Sequence, residues 1–189
     1  MATPPPSSII ILNMGIRKTS RIKKLDGGVA KSKKLVDYVA YCLNPNHYHF
    51  ILKQLRDDGI IELMKKLGGY SWYFNNRYKR VGPLFQGPFK AIRIESNDYL
   101  LHLSAYVNLN HRTHRLGGGV AKLSKSSWEE YIDERVENVC VKDIILDQFK
   151  NRKEYKDFAG DALEIILKNK SGDGLEELLL DYLAEGSPS

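Results

Sequence analysis

Two histidines separated by one residue, His47 and His49, open an apolar run that ends at Leu52. On a β-strand, side chains two positions apart point to the same face and lie roughly 6.5–7 Å apart along it. Both imidazoles can therefore converge on one metal ion on an open sheet face, while Tyr48 and Phe50 point into a core on the other side. An H-x-H pair alone is a weak signal, so a metal role depends on what the rest of the chain adds.

A tyrosine and an asparagine further along the chain could act beside such a metal. The run Ser96-Asn97-Asp98 has N-cap chemistry and predicts a helix from about residue 98 to 110. On that helix Tyr99, Tyr106 and Asn110 share a face, and Tyr106 and Asn110 are one i, i+4 step apart. A hydroxyl and an amide oxygen can thus be presented together. The ordinary alternative is that Tyr106 is a packed aromatic residue and Asn110 ends the helix.

Alternating and helical hydrophobic patterns predict the elements that must position these side chains. We expect strands at residues 9–12, 35–43, 47–52 and 84–95, and helices at 60–78, 98–110, 128–136, 141–149, 155–168 and 175–183. The turn residues Asn44-Pro45-Asn46 predict a hairpin whose second strand begins with the histidine pair. The first long helix can be capped by Asp57 or Asp58, and residues 16–34 read as a loop or basic arm.

The charge distribution favours a polyanionic partner. Residues 1–34 carry a net charge of +7, residues 35–125 carry +7, and residues 126–189 carry −8. A basic excess over the first 125 residues, which include the histidine pair, is typical of nucleic-acid-binding surfaces. No apolar run is long enough for a membrane span, and two cysteines provide no disulfide framework, so we expect a soluble protein of a reducing cytoplasm.

Several basic, aromatic and amide side chains are candidates for contact with DNA. In Arg77-Tyr78-Lys79-Arg80, basic and aromatic residues alternate, a composition suited to phosphate contact and base stacking, although a solvated helix end explains it equally well. The full candidate set is Arg77, Tyr78, Lys79, Arg80, Gln86, Lys90, Arg93, Arg112 and Arg115.

Three groups of residues, taken in order, resemble one known family. They are Tyr41-Cys42-Leu43-Asn44-Pro45-Asn46-His47-Tyr48-His49, then Tyr78-Lys79-Arg80 with Gly82-Pro83-Leu84-Phe85-Gln86-Gly87, and then Tyr99-Leu100-Leu101 with Tyr106-Val107-Asn108-Leu109-Asn110. This ordered set is similar to the single-tyrosine HUH transposases, and most of all to the REP-associated tyrosine transposases. The resemblance covers residues 35–115 firmly.

The resemblance implies a fold, an activity and a site. It implies an α/β (α+β) protein with a ferredoxin-like antiparallel sheet and helices on one face, with the catalytic core at residues 35–115. The hydrophobic patterns and charges predict an N-terminal strand and basic arm (1–34) before this core, and a loop with an acidic helical appendage (116–189) after it. His47, His49 and Asn110 would bind Mg²⁺ or Mn²⁺, and Tyr106 would be the nucleophile. The expected partner is single-stranded or hairpin DNA, with REP-like palindromes among the possible targets, and the protein would act as a monomer or homodimer in a prokaryotic cytoplasm or nucleoid.

Some positions differ from the family pattern and leave alternatives open. Asn44 stands where Met is usual, Pro88 where Arg is usual and His111 where Pro is usual, and residues 16–34 contain no counterpart of the family's first helix. The main alternative is a catalytically degraded, domesticated nucleic-acid-binding protein on the same fold. A structural Zn²⁺ site is a further alternative.

Overall fold

The computed structural model describes residues 9–16, 34–45, 47–113, 123–136 and 139–169. The strands are β1 (Ile9–Ile16), β2 (Val36–Leu43), β3 (His47–Gln54), β4 (Phe85–Arg93) and β5 (Lys125–Ser126). The helices are α1 (Gly59–Arg77), α2 (Asn97–Thr113), α3 (Trp128–Ile132), α4 (Asp143–Leu146) and α5 (Arg152–Asn169). Most of the basic arm, the predicted helix at 175–183 and Arg115 lie outside the described residues.

The five strands form one antiparallel sheet in the order β4-β1-β3-β2-β5. The protein is therefore a mixed α/β structure. The predicted hairpin between β2 and β3 is confirmed, and its turn is closed by a hydrogen bond of 2.9 Å from the Asn44 N–H to the His47 carbonyl. Because β3 begins at His47, the histidine pair lies at the start of this strand, next to the hairpin loop.

The helices α1 and α2 lie on opposite faces of the sheet, which corrects the expectation of helices on one face. Ile51 packs in the cluster that contains the buried residues of α2. Its neighbour Leu52 packs instead with Ile60 and Met64 of α1. Successive residues of a strand point to opposite faces, so the sheet is covered by α2 on one side and by α1 on the other. Apolar side chains of β3 point to both faces of the sheet, so each face needs a layer that covers it.

The start of α1 is not capped in the way that the sequence predicts. Asp58 takes a left-handed conformation with φ 58° and makes no side-chain cap hydrogen bond. The side chain of Gln54, at the end of β3, accepts the Ile60 N–H at 3.2 Å instead. Gly59 is required here because a Cβ atom would lie 2.5 Å from the Leu35 carbonyl oxygen. The N-terminus of α1 is thus capped by Gln54, a residue of the preceding strand.

The C-terminal helices, predicted as an appendage, share one buried cluster with α2. Tyr131 of α3, Ile145 of α4 and Tyr155 of α5 are fully buried in it together with Leu100 and Val107 of α2. Both α3 and α4 are shorter than predicted, because extended backbone at Asp133 ends α3 and residues 139–142 precede the single turn of α4. Much of the surface of α2 that does not face the sheet is therefore covered by α5 and its neighbours.

Candidate active site

The histidine pair projects from β3 toward α2. The ring centroids of His47 and His49 are 5.0 Å apart with an interplanar angle of 79°. His49 is buried and His47 is half-buried. Tyr48 points to the other face, where its ring lies 5.8 Å from that of Phe85, as the alternation predicts. The face that carries the imidazoles is not open, however, because α2 packs across it.

Tyr106 and Asn110 lie on the side of α2 that meets the histidines. The Tyr106 ring centroid is 5.4 Å from that of His49. One turn later, the Asn110 Oδ1 atom is 3.3 Å from His47 Nε2. Both α2 side chains are buried, with Tyr106 4% exposed and Asn110 0% exposed. The structure therefore brings together the four side chains selected from the sequence, each paired with a residue of the other element.

Asn44 is a fifth member of this cluster. Its Nδ2 atom donates to Asn110 Oδ1 at 2.7 Å and lies 2.9 Å from His47 Nε2. The Cys42 thiol donates to the Asn44 Oδ1 atom at 3.6 Å. Burial raises the pKa of Cys42 to about 11, so this thiol keeps its proton at neutral pH. Asn44 was identified from the sequence only as a turn residue and a departure from the family pattern.

The distance between two candidate ligand atoms, His47 Nε2 and Asn110 Oδ1, fits a shared cation. Two ligands that each lie about 2.1 Å from one ion are separated by about 3.0 Å at a right angle and about 3.4 Å at the tetrahedral angle. The distance of 3.3 Å between His47 Nε2 and Asn110 Oδ1 falls in this range. Counting only His, Cys, Asp and Glu, no group of three that could hold a metal occurs in the described part of the chain. The candidate set is thus two imidazoles and one amide.

The protonation of His47 suits a ligand. Burial lowers the pKa of His47, and the hydrogen bond that the protonated ring can donate to Asn110 Oδ1 offsets part of this shift. A lowered pKa favours the neutral imidazole at pH 7, and only the neutral ring has a nitrogen lone pair for a metal or for a hydrogen-bond donor.

A buried polar network holds α2 in place beside these residues. Asn108 donates through Nδ2 to the Tyr155 hydroxyl at 2.8 Å and accepts through Oδ1 from the Ser127 hydroxyl at 2.6 Å. Ser127 also binds the backbone of Tyr41 in β2, where it accepts the N–H at 2.9 Å. Asn108 therefore ties α2 to α5 and to the edge of the sheet. It lies two residues from both Tyr106 and Asn110, and its position inside an apolar stripe is the only sequence signal for it.

The buried carboxylate of Glu130 binds the backbone at residues 139 and 140. Its Oε2 atom accepts the backbone N–H groups of Val139 and Cys140, each at 2.9 Å, and its Oε1 atom accepts the Tyr41 hydroxyl at 3.3 Å. Burial, followed by the neighbouring Glu130, raises the pKa of Tyr41 to about 12. The acidic character of the C-terminal third thus has a structural component and is not only a solvated face.

Of the predicted DNA contacts on β4, Lys90 lies on the face of the histidine pair. His49 and Lys90 both pair in register with Asn13 of β1, so the two positions share one face and are separated by two strand spacings, about 10 Å. Arg93 pairs with Ile10, which pairs with Leu52, and therefore points to the α1 face. Both cationic residues are exposed.

The remaining predicted DNA contacts are spread over the molecule. Arg77 and Lys79 are exposed at the end of α1, and Tyr78 is half-buried there. Arg80 stacks over the Phe74 ring at 5.9 Å. Arg112 stacks over the Trp128 ring at 5.6 Å, at the end of α2. The side chain of Gln86 and the whole of Arg115 lie outside the described residues.

Three exposed aromatic side chains on α1 were not identified from the sequence. Trp72 is 71% exposed, Tyr73 46% and Tyr70 43%. Lys65, Lys66 and Arg77 are exposed on the same helix. Large exposed aromatic residues among cations are unusual on a solvated helix and are typical of surfaces that stack on bases. The sequence signal was present in the run Tyr70-Ser71-Trp72-Tyr73, whose aromatic residues do not all fit one buried stripe.

No helix of the described ranges has both the length and the apolar character needed to cross a membrane. Comparison with known proteins finds no match to the chain among family models, curated proteins or solved structures.

Proposed function

We propose that this protein is a metal-dependent DNA transposase, a site-specific single-strand endonuclease and strand transferase that uses Tyr106 as its nucleophile. The observation that carries the proposal is the convergence of Tyr106, His49, His47 and Asn110 at the contact between β3 and α2. The histidine pair and Tyr106, which lie 57 or more residues apart in the chain, meet at one place, as this chemistry requires.

The sheet supports a ferredoxin-like architecture for the core. Its first four strands have the order β4-β1-β3-β2 with every neighbour antiparallel, and α1 connects β3 to β4. This is the arrangement that a β-α-β-β-α-β chain adopts when both crossover connections pass over one face. The connection from β1 to β2 lies outside the described residues.

The proposed reaction is an exchange of one phosphodiester bond for another. The Tyr106 hydroxyl oxygen forms a bond to phosphorus, and the bond from phosphorus to the 3′ oxygen of the preceding nucleotide breaks. The phenol loses its proton to water, and the departing 3′ oxygen gains one. The product is a 5′-phosphotyrosine and a free 3′-hydroxyl, so the energy of the phosphodiester is conserved and the strand can be joined to a new end.

The side chains around Tyr106 have distinct roles in this proposal. His47, His49 and Asn110 would hold Mg²⁺ or Mn²⁺, which when bound offsets the negative charge that develops on the scissile phosphate. The imidazole ligands favour Mn²⁺, while Mg²⁺ prefers oxygen. Lys90, on the same face as the pair, would bind a neighbouring phosphate.

The proposed substrate is single-stranded or hairpin DNA. The basic excess of residues 1–125 provides the long-range attraction. The exposed aromatic residues of α1 offer stacking positions for unpaired bases, and stacking does not require one particular base.

A second candidate function is favoured by the burial of the site. Tyr106 is 4% exposed and His49 is 2% exposed, so a phosphate cannot reach the Tyr106 side chain without movement of α2 or of the hairpin turn. This burial supports a nucleic-acid-binding protein that keeps the fold and the surface charge but no longer cleaves DNA.

A covalent-adduct assay separates the two functions. The protein is incubated with Mn²⁺ and a labelled pool of DNA hairpins with randomised single-stranded flanks, and the products are resolved on a denaturing protein gel. The transposase proposal predicts a labelled protein band that is absent for Tyr106→Phe and present for Tyr99→Phe, a matched change on the same helix. An adduct that persists in Tyr106→Phe would place the nucleophile elsewhere. DNA binding by the wild type with no adduct in Mn²⁺ or Mg²⁺ would establish the second candidate.

A further inference from the structure

The amide group of Asn44 lies between the two atoms that would bind a shared cation, His47 Nε2 and Asn110 Oδ1. Asn44 Nδ2 lies 2.7 Å from Asn110 Oδ1 and 2.9 Å from His47 Nε2, and these two atoms are 3.3 Å apart. A side-chain amide has two N–H groups, so it can donate one to each acceptor. Asn44 is 4% exposed, and its backbone N–H is bound to the His47 carbonyl, so the hairpin turn holds it at this position.

The chemistry of the neighbours supports this orientation of the amide. Asn110 Oδ1 is an acceptor only, so the atom 2.7 Å from it must be a donor. The opposite orientation would bring two carbonyl oxygens together and would turn the Asn44 NH₂ group toward the Cys42 thiol, which donates to Asn44 Oδ1 in the structure. The contact with His47 then requires a lone pair on Nε2, the same lone pair that a metal ion needs.

We propose that Asn44 is an internal competitor for the divalent cation, because its NH₂ group takes the lone pairs of His47 Nε2 and Asn110 Oδ1 that the cation would use. This inference rests on the metal site of the proposed function. An amide nitrogen does not bind a metal, since its lone pair is delocalised into the carbonyl, so a cation at this place has to displace it. In the absence of a cation, the same two hydrogen bonds keep His47 and Asn110 at the separation that a cation needs.

Two consequences follow for the protein. Metal binding costs the two hydrogen bonds of Asn44, so the affinity of the wild type for Mn²⁺ is lower than that of the same ligand set without the amide. A movement that withdrew the Asn44 side chain from these two atoms would remove the competition and increase the affinity. Asn44 is therefore a residue that makes metal binding depend on the conformation of the hairpin turn.

The test is the affinity for Mn²⁺, measured by isothermal titration calorimetry and by the electron paramagnetic resonance signal of free Mn²⁺, without DNA. Removing the amide with Asn44→Ala is expected to tighten binding about 10-fold, equal to about 1.4 kcal/mol. Asn44→Leu has a similar size, no N–H and no metal ligand, and is expected to tighten binding by a similar amount. Asn75→Ala removes an amide of α1, on the other face of the sheet, and is expected to leave the affinity unchanged.

Each outcome has one meaning. An affinity of Asn44→Ala equal to or weaker than that of the wild type overturns the inference. If Asn44→Ala does not fold by circular dichroism, Asn44→Leu decides in its place, and an affinity no higher than that of the wild type overturns the inference. Adding His47→Ala and His49→Ala to the Asn44 variant must abolish the gain. Tighter Mn²⁺ binding by the variants together with no DNA adduct would reject the transposase function and keep this inference, while no Mn²⁺ binding by any variant would reject the metal site itself.

Discussion

Removing the hydroxyl group of Tyr155 tests whether the buried network positions α2. Tyr155 is fully buried, and its hydroxyl accepts from Asn108 Nδ2 at 2.8 Å and lies 3.1 Å from the Ser104 hydroxyl. In Tyr155→Phe, Ser104 keeps its hydrogen bond of 2.7 Å to the Leu101 carbonyl, so the loss falls mainly on Asn108. A buried donor left without a partner costs about 1–3 kcal/mol of unfolding free energy.

The expected change is large enough to measure by thermal unfolding. For a chain of this length, each kcal/mol corresponds to about 2–4 °C, so we expect the melting temperature of Tyr155→Phe to fall by about 2–12 °C. Tyr73→Phe is the matched control, because it removes the same atom from a side chain that is 46% exposed, and we expect no change. In a double-mutant cycle, Tyr155→Phe and Asn108→Ala should destabilise by less together than the sum of their separate effects.

A melting temperature of Tyr155→Phe within about 1 °C of the wild type would refute the reasoning, because the hydroxyl would then contribute nothing net to the fold. Fully additive effects in the cycle would also refute it, since the two residues would not act through a common hydrogen bond.

Three further predictions concern DNA and pH. Trp72→Ala should weaken binding of single-stranded DNA about 5- to 150-fold, the equivalent of about 1–3 kcal/mol per stacked base, and the exposed Val139→Ala should not; equal affinities by fluorescence anisotropy would exclude α1 as a stacking surface. Lys90→Gln should reduce adduct formation while Arg93→Gln, on the other sheet face, should not, and equal rates for both would remove Lys90 from the site. Burial lowers the pKa of His102, and the neighbouring Asp98 partly opposes this shift. Below about pH 6.5 the unfolded chain therefore binds more protons than the folded protein, so stability should fall as pH is lowered from 7.5 to 5.5. His102→Gln should make that fall shallower, and an identical pH dependence of the melting temperature would contradict the shift.

The local elements were largely predictable because their signals are local. The alternation around Val36 and Leu52, the Asn-Pro-Asn turn and the cap chemistry at Ser96 each specify structure through neighbouring residues. Ser96 indeed accepts the Tyr99 N–H at 3.1 Å. The predicted cap at Asp58 was wrong, because the Ile60 N–H is accepted by Gln54, six positions earlier in the chain. A cap supplied by a preceding strand depends on how closely the strand approaches, and no local pattern encodes that.

The sequence by itself determined the types of the chemical groups and their order: an H-x-H pair on a strand, a tyrosine and an asparagine one helical turn apart, and a basic excess confined to the first 125 residues. Only the tertiary structure decided that α2 covers the histidine face, that the Asn44 amide lies between His47 and Asn110, and that Asn108 joins α2 to α5. These are contacts between residues up to 66 positions apart. Periodicity shows which face of an element is buried, but which element buries it follows from the packing of the whole chain.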